Sequence, residues 1–382
     1  MNGTSDMLIL FIVIAARLLV PLAIPRYPIP AGIAALVIDG VDQTIFQKFT
    51  TLPLTGYQGY DKALDIYYLS IEYLSTLRNW TNLDAVMMSR FLFYFRLVGV
   101  LLFELLQVRA LLLFFPNTFE YFFLFYEAVR LRWNPKRLTA TAVVGAAFAI
   151  WVFIKVPQEY WIHIAQLDIT DTIKKGLFGV PTDTSWEEIV RDNIPFFIGL
   201  IAAIALLIAG LYWFVTRRLP PADWSFSFDV DAHGSDLPAE KVIAVQHAKA
   251  SRLWDTELFE KVILVSLVTV IFSRILPDVQ ASVTTVAIGV ALVIVANTGI
   301  SELLVRRGVQ LGAAALEFIV MAGVNALIVA VFFALLPFAG GSIDTPATLF
   351  AVLLLTLLVT LYDRFRPYYV ARRSLAELRV GE

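Results

Sequence analysis

Long apolar runs, separated by short polar connections, make up most of the chain. A helix needs roughly 20 apolar residues to cross a hydrocarbon core of about 30 Å, and several runs reach that length. None of the runs alternates with the period of two that a membrane β-strand requires. The pattern therefore predicts an all-α, polytopic transmembrane bundle of about 9–11 spans. The candidate spans are 7–24, 30–47, 61–77, 88–107, 110–130, 138–155, 195–216, 257–276, 281–298, 310–337 and 346–362.

Composition agrees with this class and removes several functions. The 382 residues are 59% hydrophobic and 16% charged, whereas soluble domains are about half apolar and about one-quarter charged. The net charge of −2 provides no basic field, so we expect no nucleic-acid partner. Cys is absent, which excludes disulfides, thiolate catalysis and Cys-ligated metals. None of the three His lies in a convincing span, which argues against an intramembrane haem.

Lys and Arg accumulate in alternate connections, and such residues favour the cytoplasmic side of a membrane. The alternation predicts that 131–137, the longer loop 217–256 and the C-terminus are cytoplasmic. Residues 156–194 are predicted to form an external, interfacial segment, in which Ser185 and Glu188 fit a capping box. We expect an integral protein of the cell (plasma) membrane.

The side of the N-terminus depends on two weak spans, because 30–47 and 61–77 are short and carry acidic residues. If both segments cross the membrane, the N-terminus is outside and the hairpin between them opens outside. If one of them only lies in the interface, the N-terminus is inside.

The distribution of charge divides the chain into two parts. Residues 1–137 carry charged side chains within or beside apolar runs, whereas 138–382 form mainly apolar helices that we interpret as scaffold or subunit interface. A charge at bilayer depth costs at least about 2.5–3.5 kcal/mol, so such residues mark functional sites or pair with one another. The charged residues in the first part are Arg17, Asp39, Asp42, Asp65, Glu72, Arg96, Glu104, Glu120 and Glu127.

Two pairs of aspartates form the clearest constellation. Asp39 and Asp42 are three residues apart, and Asp61 and Asp65 are four apart, so each pair shares one face of its helix. Carboxylates this close either repel each other or share a cation. Oxygen ligands alone suit Mg²⁺ or another hard cation, so the four aspartates form a candidate metal site. The alternative for the second pair is a helix at the interface, with its acids in water.

The aspartate spacing resembles that of the CDP-alcohol phosphotransferases, membrane enzymes that bind two metal ions and a CDP-linked donor. In that family an Asp-x-x-Asp-Gly-x-x-Ala-Arg element precedes Gly-x-x-x-Asp-x-x-x-Asp. The resemblance is confined to residues 39–65 and implies metal-dependent chemistry at the aspartates. The chain departs from the motif at Gln43, at Phe46-Gln47 and at the position of Gly56.

The run 88–107 contains two further charges, Arg96 and Glu104, on roughly the same side of the predicted helix. Arg96 lies too deep in the run to reach the interface easily. It therefore either forms a salt bridge with a neighbouring helix or binds an anionic group through its guanidinium.

Pro116 interrupts the next run, because it removes a backbone donor and disfavours helix at Phe115. Asn117 is suited to cap the helix that resumes. Transporters use such broken helices at ion and substrate sites, although a kink without function is commoner. Glu120 and Glu127 share one side of the resumed helix, in line with the break.

Three functions fit these patterns. The favoured one is a transporter or channel for an ion or a small anionic or polar substrate. The alternatives are a Mg²⁺-dependent membrane enzyme acting on lipid-linked or phosphate-bearing substrates, and a non-catalytic subunit of a membrane complex. The expected partners are membrane lipids and, for the last function, further copies of the chain or other membrane subunits. The predicted substrate- or ion-binding residues are Asp39, Asp42, Asp61, Asp65, Arg96, Glu104, Asn117, Glu120 and Glu127.

Overall fold

The computed structural model describes residues 3–51, 57–165, 169–233, 256–275 and 345–380, together with a few isolated positions. Within these ranges the chain is helical and contains no strand. The predicted spans 281–298 and 310–337 lie outside the described residues, apart from isolated positions in the second. The prediction of an all-α polytopic bundle is confirmed.

Twelve helices make up the described ranges. They are α1 Gly3–Leu19, α2 Pro28–Phe49, α3 Tyr57–Asn79, α4 Leu83–Leu106, α5 Ala110–Phe114, α6 Thr118–Arg130, α7 Ala140–Ile164, α8 Ile169–Gly176, α9 Trp186–Asp192, α10 Ile194–Arg218, α11 Thr256–Ile275 and α12 Thr345–Val380. Five of them, namely α1 with the 3-10 turn that follows it, α2, α4, α7 and α10, are long and apolar enough to cross a membrane. The chain is therefore an integral membrane protein.

Local sequence explains where several of these helices begin. Pro28 occupies the first position of α2, where its missing N–H is not needed. The side chains of Asn82 and Thr139 accept hydrogen bonds from Ala85 N and Ala142 N, both at 3.2 Å, and so cap α4 and α7. In the segment predicted to be external, Ser185 caps α9 by accepting from Glu188 N, which is one half of the predicted capping box.

Helix α3 lies at the centre of the bundle. α12 packs along it, and α1, α2, α4, α6 and α11 contact its other sides. From Ala63 to Leu77 every side chain is buried except that of Asp65, which is partly exposed. A helix enclosed in this way crosses the bundle, so the alternative of an interfacial helix for 61–77 does not describe the structure.

One end of the bundle gathers the α1–α2 turn, the α3–α4 turn and the segment 219–233. Arg26 pairs with Asp229 at 3.0 Å and Arg78 pairs with Asp231 at 2.8 Å, which ties the segment to both turns. We call this the arginine-rich end; its described cations include Arg26, Arg78, Arg130, Arg132, Lys136, Arg137, Arg217, Arg218, Arg372 and Arg373. The connection between α2 and α3 lies at the opposite end, as expected if both 30–47 and 61–77 cross.

Two predicted boundaries are wrong. The span predicted to stop at 155 continues to Ile164 through two π-helical turns, Trp151–Lys155 and Tyr160–Ile164, so the segment predicted to be external is shorter than 156–194. Lys155, the last residue of the predicted span, and Glu159, just beyond it, are both buried inside the bundle. The last span also continues, from the predicted 362 to Val380, because its polar second half packs against the end of α3.

The segment 219–233 is expected to become less ordered at low pH. Hydrogen bonds from the Arg26 guanidinium, and then from Asp231 N–H, hold the pKa of Asp229 below its usual value. The contacts of Asp229 therefore stabilise this segment fully above the unfolded-state pKa of about 3.9. This stabilisation is lost as pH falls through the lower folded-state pKa of Asp229. Amide hydrogen exchange in 219–233, corrected for intrinsic rate, is expected to rise in acid. In Asp229→Asn it is expected to be fast already at neutral pH.

The matched control for this experiment is Asp84→Asn, because Asp84 is also near the arginine-rich end but is exposed at the start of α4. Its exchange profile should follow that of the native chain. Equal protection of 219–233 in Asp229→Asn and in the control would show that the ion pair does not hold this segment.

Candidate functional site

The guanidinium of Arg17 lies among four carboxylates, which come from two neighbouring helices. It donates to Asp39 and Asp42 of α2 and to Asp61 and Asp65 of α3. The contact from Nη2 to Asp65 Oδ1 measures 2.5 Å. We call these five residues the Arg17 cluster.

Helix geometry explains why the cluster forms. The short turn after α1 returns the chain as α2, so the two helices pack as an antiparallel hairpin. Asp39 and Asp42 are about one turn apart on α2, and Asp61 and Asp65 are one turn apart on α3. Arg17 is in the last turn of α1, and its long side chain spans the gap between the two pairs.

The cluster is buried on one side and partly exposed on the other. The side chains of Arg17 and Asp42 are only 4% and 2% exposed, whereas those of Asp39, Asp61 and Asp65 are 30%, 34% and 38% exposed. Carboxylate oxygens of these three accessible aspartates all lie within 4.8 Å of one another. Three of the four aspartates therefore lie at the surface of the described bundle and not in its core.

The charges in the cluster do not balance. Four carboxylates share one guanidinium among the described residues, which leaves a formal excess of three negative charges if every carboxyl is ionised. An excess of this size inside a membrane protein is relieved by protons or by a bound cation. The arrangement is therefore chemically suited to take up a positive charge.

Sequence reasoning underrated Arg17, which was interpreted as an interfacial or structural charge. The available signal was its position inside the first apolar run, ten residues beyond Met7. Pairing with acids of later helices is what makes that position stable. The sequence alone did not indicate which acids those would be.

Glu104 and Arg96 do not join the Arg17 cluster. Glu104 pairs with Lys62 at 3.0 Å, near the end of the bundle opposite to the arginine-rich end. Arg96 donates from Nη1 to the carbonyl oxygen of Phe115 at 3.1 Å, which is a backbone group released by the Pro116 break. The structure thus separates two residues that the sequence placed on one side of a helix.

A line of buried carboxyls leads from the cluster towards the arginine-rich end. Tyr68, about one turn beyond Asp65 on α3, donates its hydroxyl to Glu120. Glu72 is 1% exposed, and its Oε2 has no hydrogen-bond partner within the described residues. Glu127 follows, accepting from Trp80 Nε1 at 2.7 Å.

Gly32 of α2 is matched to Glu72. A Cβ atom at that position would lie 3.3 Å from Glu72 Oε1, so only glycine leaves the carboxyl its present room. From the sequence, Glu72 could be explained either by a helix at the interface or by a structural pair. Its complete burial contradicts the first interpretation, because α3 is enclosed by other helices.

The predicted helix break is present. α5 ends at Phe114 and α6 begins at Thr118, while Asn117 donates from Nδ2 to Glu120 Oε2 at 2.9 Å. Two buried residues of α7, Lys155 and Glu159, also lie at the break. The sequence did not identify them, because the span was expected to stop at 155.

Comparison with protein-family models, curated proteins and solved structures gave no match. The resemblance to the CDP-alcohol phosphotransferases therefore rests on the aspartate spacing alone. The position of Arg17, in contact with all four aspartates, is a further departure from a site that binds two metal ions.

Removing Arg17 is expected to destabilise the protein strongly. Arg17→Met leaves four carboxylates without their shared cation, and loss of one partner from a buried ion pair costs about 3–5 kcal/mol. Thermal unfolding of the detergent-purified protein measures the effect. Adding Asp42→Asn, which removes the most buried carboxylate, should restore part of the loss.

Arg26→Met is the matched control, because Arg26 also pairs with an aspartate but is 60% exposed. Exposed ion pairs contribute little, so the unfolding temperature should hardly change. Similar losses in Arg17→Met and Arg26→Met would contradict a central role for the Arg17 cluster.

Proposed function

We propose that the chain is a proton- or cation-coupled membrane transporter, and that the Arg17 cluster is its cation site. The observation that carries the proposal is the charge imbalance of four aspartates around one guanidinium. A purely structural network needs no such excess, whereas a site that takes up and releases a cation does. Accessible oxygens on Asp39, Asp61 and Asp65 suit a proton, Na⁺ or Mg²⁺.

Arg17 acts in this proposal as a tethered competitor of the transported cation. While the site is empty, the guanidinium offsets part of the negative charge of the aspartates and keeps the helices together. A proton or metal ion that binds an accessible aspartate weakens the contact with Arg17 and favours a second arrangement of α1 against α2 and α3. Binding and conformation are thereby coupled, because the cation has different contacts in the two arrangements.

The arginine-rich end is proposed to be cytoplasmic, following the preference of Lys and Arg for that side. Asp39 then lies about 16 Å along α2 from the cytoplasmic end, and Asp65 about 21 Å along α3, at 1.5 Å per residue. This places the cluster at membrane depth, nearer to the outer side. The N-terminus is outside, the C-terminus is inside, and the plasma membrane is the proposed location.

The buried carboxyls extend the proposed cation path from the Arg17 cluster towards the arginine-rich end. Glu120, Glu72 and Glu127 continue from the cluster towards the arginine-rich end. Chains of acidic residues inside a membrane protein are typical of proton relays. Glu72 Oε2, which has no hydrogen-bond partner in the described part of the chain, supports a step at which a proton or a water molecule is held.

A Mg²⁺-dependent membrane enzyme is the second candidate. It is favoured by the three aspartates whose oxygens lie within 4.8 Å of one another. Two-metal sites hold ions about 3.5–4 Å apart, and such ions would have to displace Arg17 from the carboxylates. Mg²⁺-dependent turnover of a phosphate-bearing substrate by the detergent-purified protein, without ion flux in proteoliposomes, would favour this candidate over transport.

Transport is tested in proteoliposomes with encapsulated indicators for protons, Na⁺ and Mg²⁺. Asp39→Asn and Asp65→Asn are expected to lower the coupled flux about tenfold or more, since a lost charge-assisted contact of about 1.5–3 kcal/mol corresponds to that factor. Asp84→Asn, at an exposed aspartate outside the cluster, should leave flux unchanged. If both cluster variants fold and transport ions at the rate of the native protein, the proposal is refuted.

The orientation is tested by cysteine labelling, for which the chain is suited because it has no native Cys. Thr51→Cys, at the end of α2, should react with a membrane-impermeant maleimide in intact cells. Lys136→Cys, at the arginine-rich end, should react only after permeabilisation. The reverse labelling pattern would invert the proposed topology.

A further inference from the structure

A second polar site lies where the broken helix α5–α6 meets α4 and α7. We call it the break site, and its charged residues are Arg96 of α4, Glu120 of α6, and Lys155 and Glu159 of α7. These four charges lie within electrostatic range of one another. Lys155, Glu120 and Glu159 are at most 5% exposed, so the site is inside the protein.

The carboxylates of the break site are well supplied with partners. Glu120 accepts from the Tyr68 hydroxyl and from Asn117 Nδ2. Glu159 accepts from Asn117 N at 3.3 Å and from His163 Nε2 at 3.0 Å. Both acids are therefore satisfied within the protein.

The cations of the same site have few direct contacts in the described structure, although Glu120 and Glu159 lie within electrostatic range of both. Arg96 makes one hydrogen bond in the described structure, to Phe115 O, and its Nε is buried without a partner. Lys155 is 3% exposed, and its ammonium group lies 3.9 Å from the centroid of the Tyr121 ring, without an ion pair in the described ranges. Buried cations normally have an anionic or hydrogen-bonding partner.

The backbone at the break adds further donors. Pro116 ends the first helical segment, so the first N–H groups of α6 are not all used within the helix, and a helix N-terminus attracts negative charge. Thr118 is only 2% exposed, and its hydroxyl has no hydrogen-bond partner among the described residues. The cations Arg96 and Lys155 and the hydroxyl of Thr118 thus lie at or beside the same helix break.

We infer that the break site binds the anionic group of a small substrate, a carboxylate or a phosphate, between Arg96 and Lys155. A guanidinium and an ammonium group together match either group, and the N-terminus of α6 adds to their field. The inference rests on the proposed transport function and names its substrate class, a small organic or inorganic anion that moves with the cation.

Glu120 links the two sites. It accepts from Asn117 at the break site and from Tyr68 of α3, and Tyr68 is about one turn from Asp65 of the Arg17 cluster. An anion that binds Lys155 alters the field on Glu120, and this change reaches the aspartates through α3. Coupling between the anion and the cation thus has a short physical route of two hydrogen bonds.

The inference is tested by thermal unfolding of the full-length protein in detergent, titrated with acetate or inorganic phosphate against chloride at constant ionic strength. A ligand that binds the native state raises the unfolding temperature in a saturable way. Native protein should respond to at least one of the two anions. Acetate tests a carboxylate as the bound group, and phosphate tests a phosphate.

Lys155→Met and Arg96→Gln should each weaken the apparent affinity for the anion by about tenfold or more, as expected for a lost charge-assisted contact. Lys155→Arg keeps the charge and should retain most of the response, even if Lys155→Met folds poorly. Lys62→Met is the matched control, because Lys62 is a cation that pairs with Glu104 away from the break site.

Absence of an anion response in the native protein, or an equal response in the native protein, Lys155→Met and Arg96→Gln, would overturn the inference. Titration with Na⁺ and Mg²⁺ in Asp39→Asn separates it from the proposed function. Loss of the cation response with an unchanged anion response supports two distinct sites. A cation response that Asp39→Asn does not alter counts against the cation site and leaves the anion site standing.

Discussion

The sharing of one guanidinium among four carboxylates is the interaction on which the first half of the bundle depends. Burial of Arg17 on α1 is costly without partners, and the same holds for Asp42 on α2. Their contacts, together with Asp61 and Asp65, connect three helices at a single point. A network of this kind fixes the register of the helices more sharply than apolar side chains do, because each donor has few acceptable partners.

Enclosure of α3 follows from the same constraint. This helix carries more acidic residues than its neighbours, so it is stable at membrane depth only if other helices surround it. α12 and α11 also pack against it, while α1, α2 and α6 present Arg17, Gly32 and Glu120 to it. The least apolar span therefore becomes the core of the bundle, and the more apolar ones are left to face lipid.

Much of this architecture could be predicted from the sequence. The apolar runs identified the helices, and Pro116 identified the break, because these features depend on local composition and backbone chemistry. The spacing of the aspartates identified two of the three helix faces that form the cluster. Lys155 and Glu159 were not identified, since a charge at the end of an apolar run looks the same whether it enters water or a neighbouring helix.

The sequence by itself determined the class of the protein, the approximate positions of its spans and the region that holds intramembrane charge. Length, hydropathy and helical periodicity are properties of neighbouring residues, so no tertiary information was needed. Only the tertiary structure decided that Arg17 joins the aspartates, that Arg96 and Glu104 have separate partners, and that Glu120 accepts from both Tyr68 and Asn117. Such pairings depend on which helices become neighbours. The order of charged residues along the chain does not specify that, because any acid can pair with any base that is brought close to it.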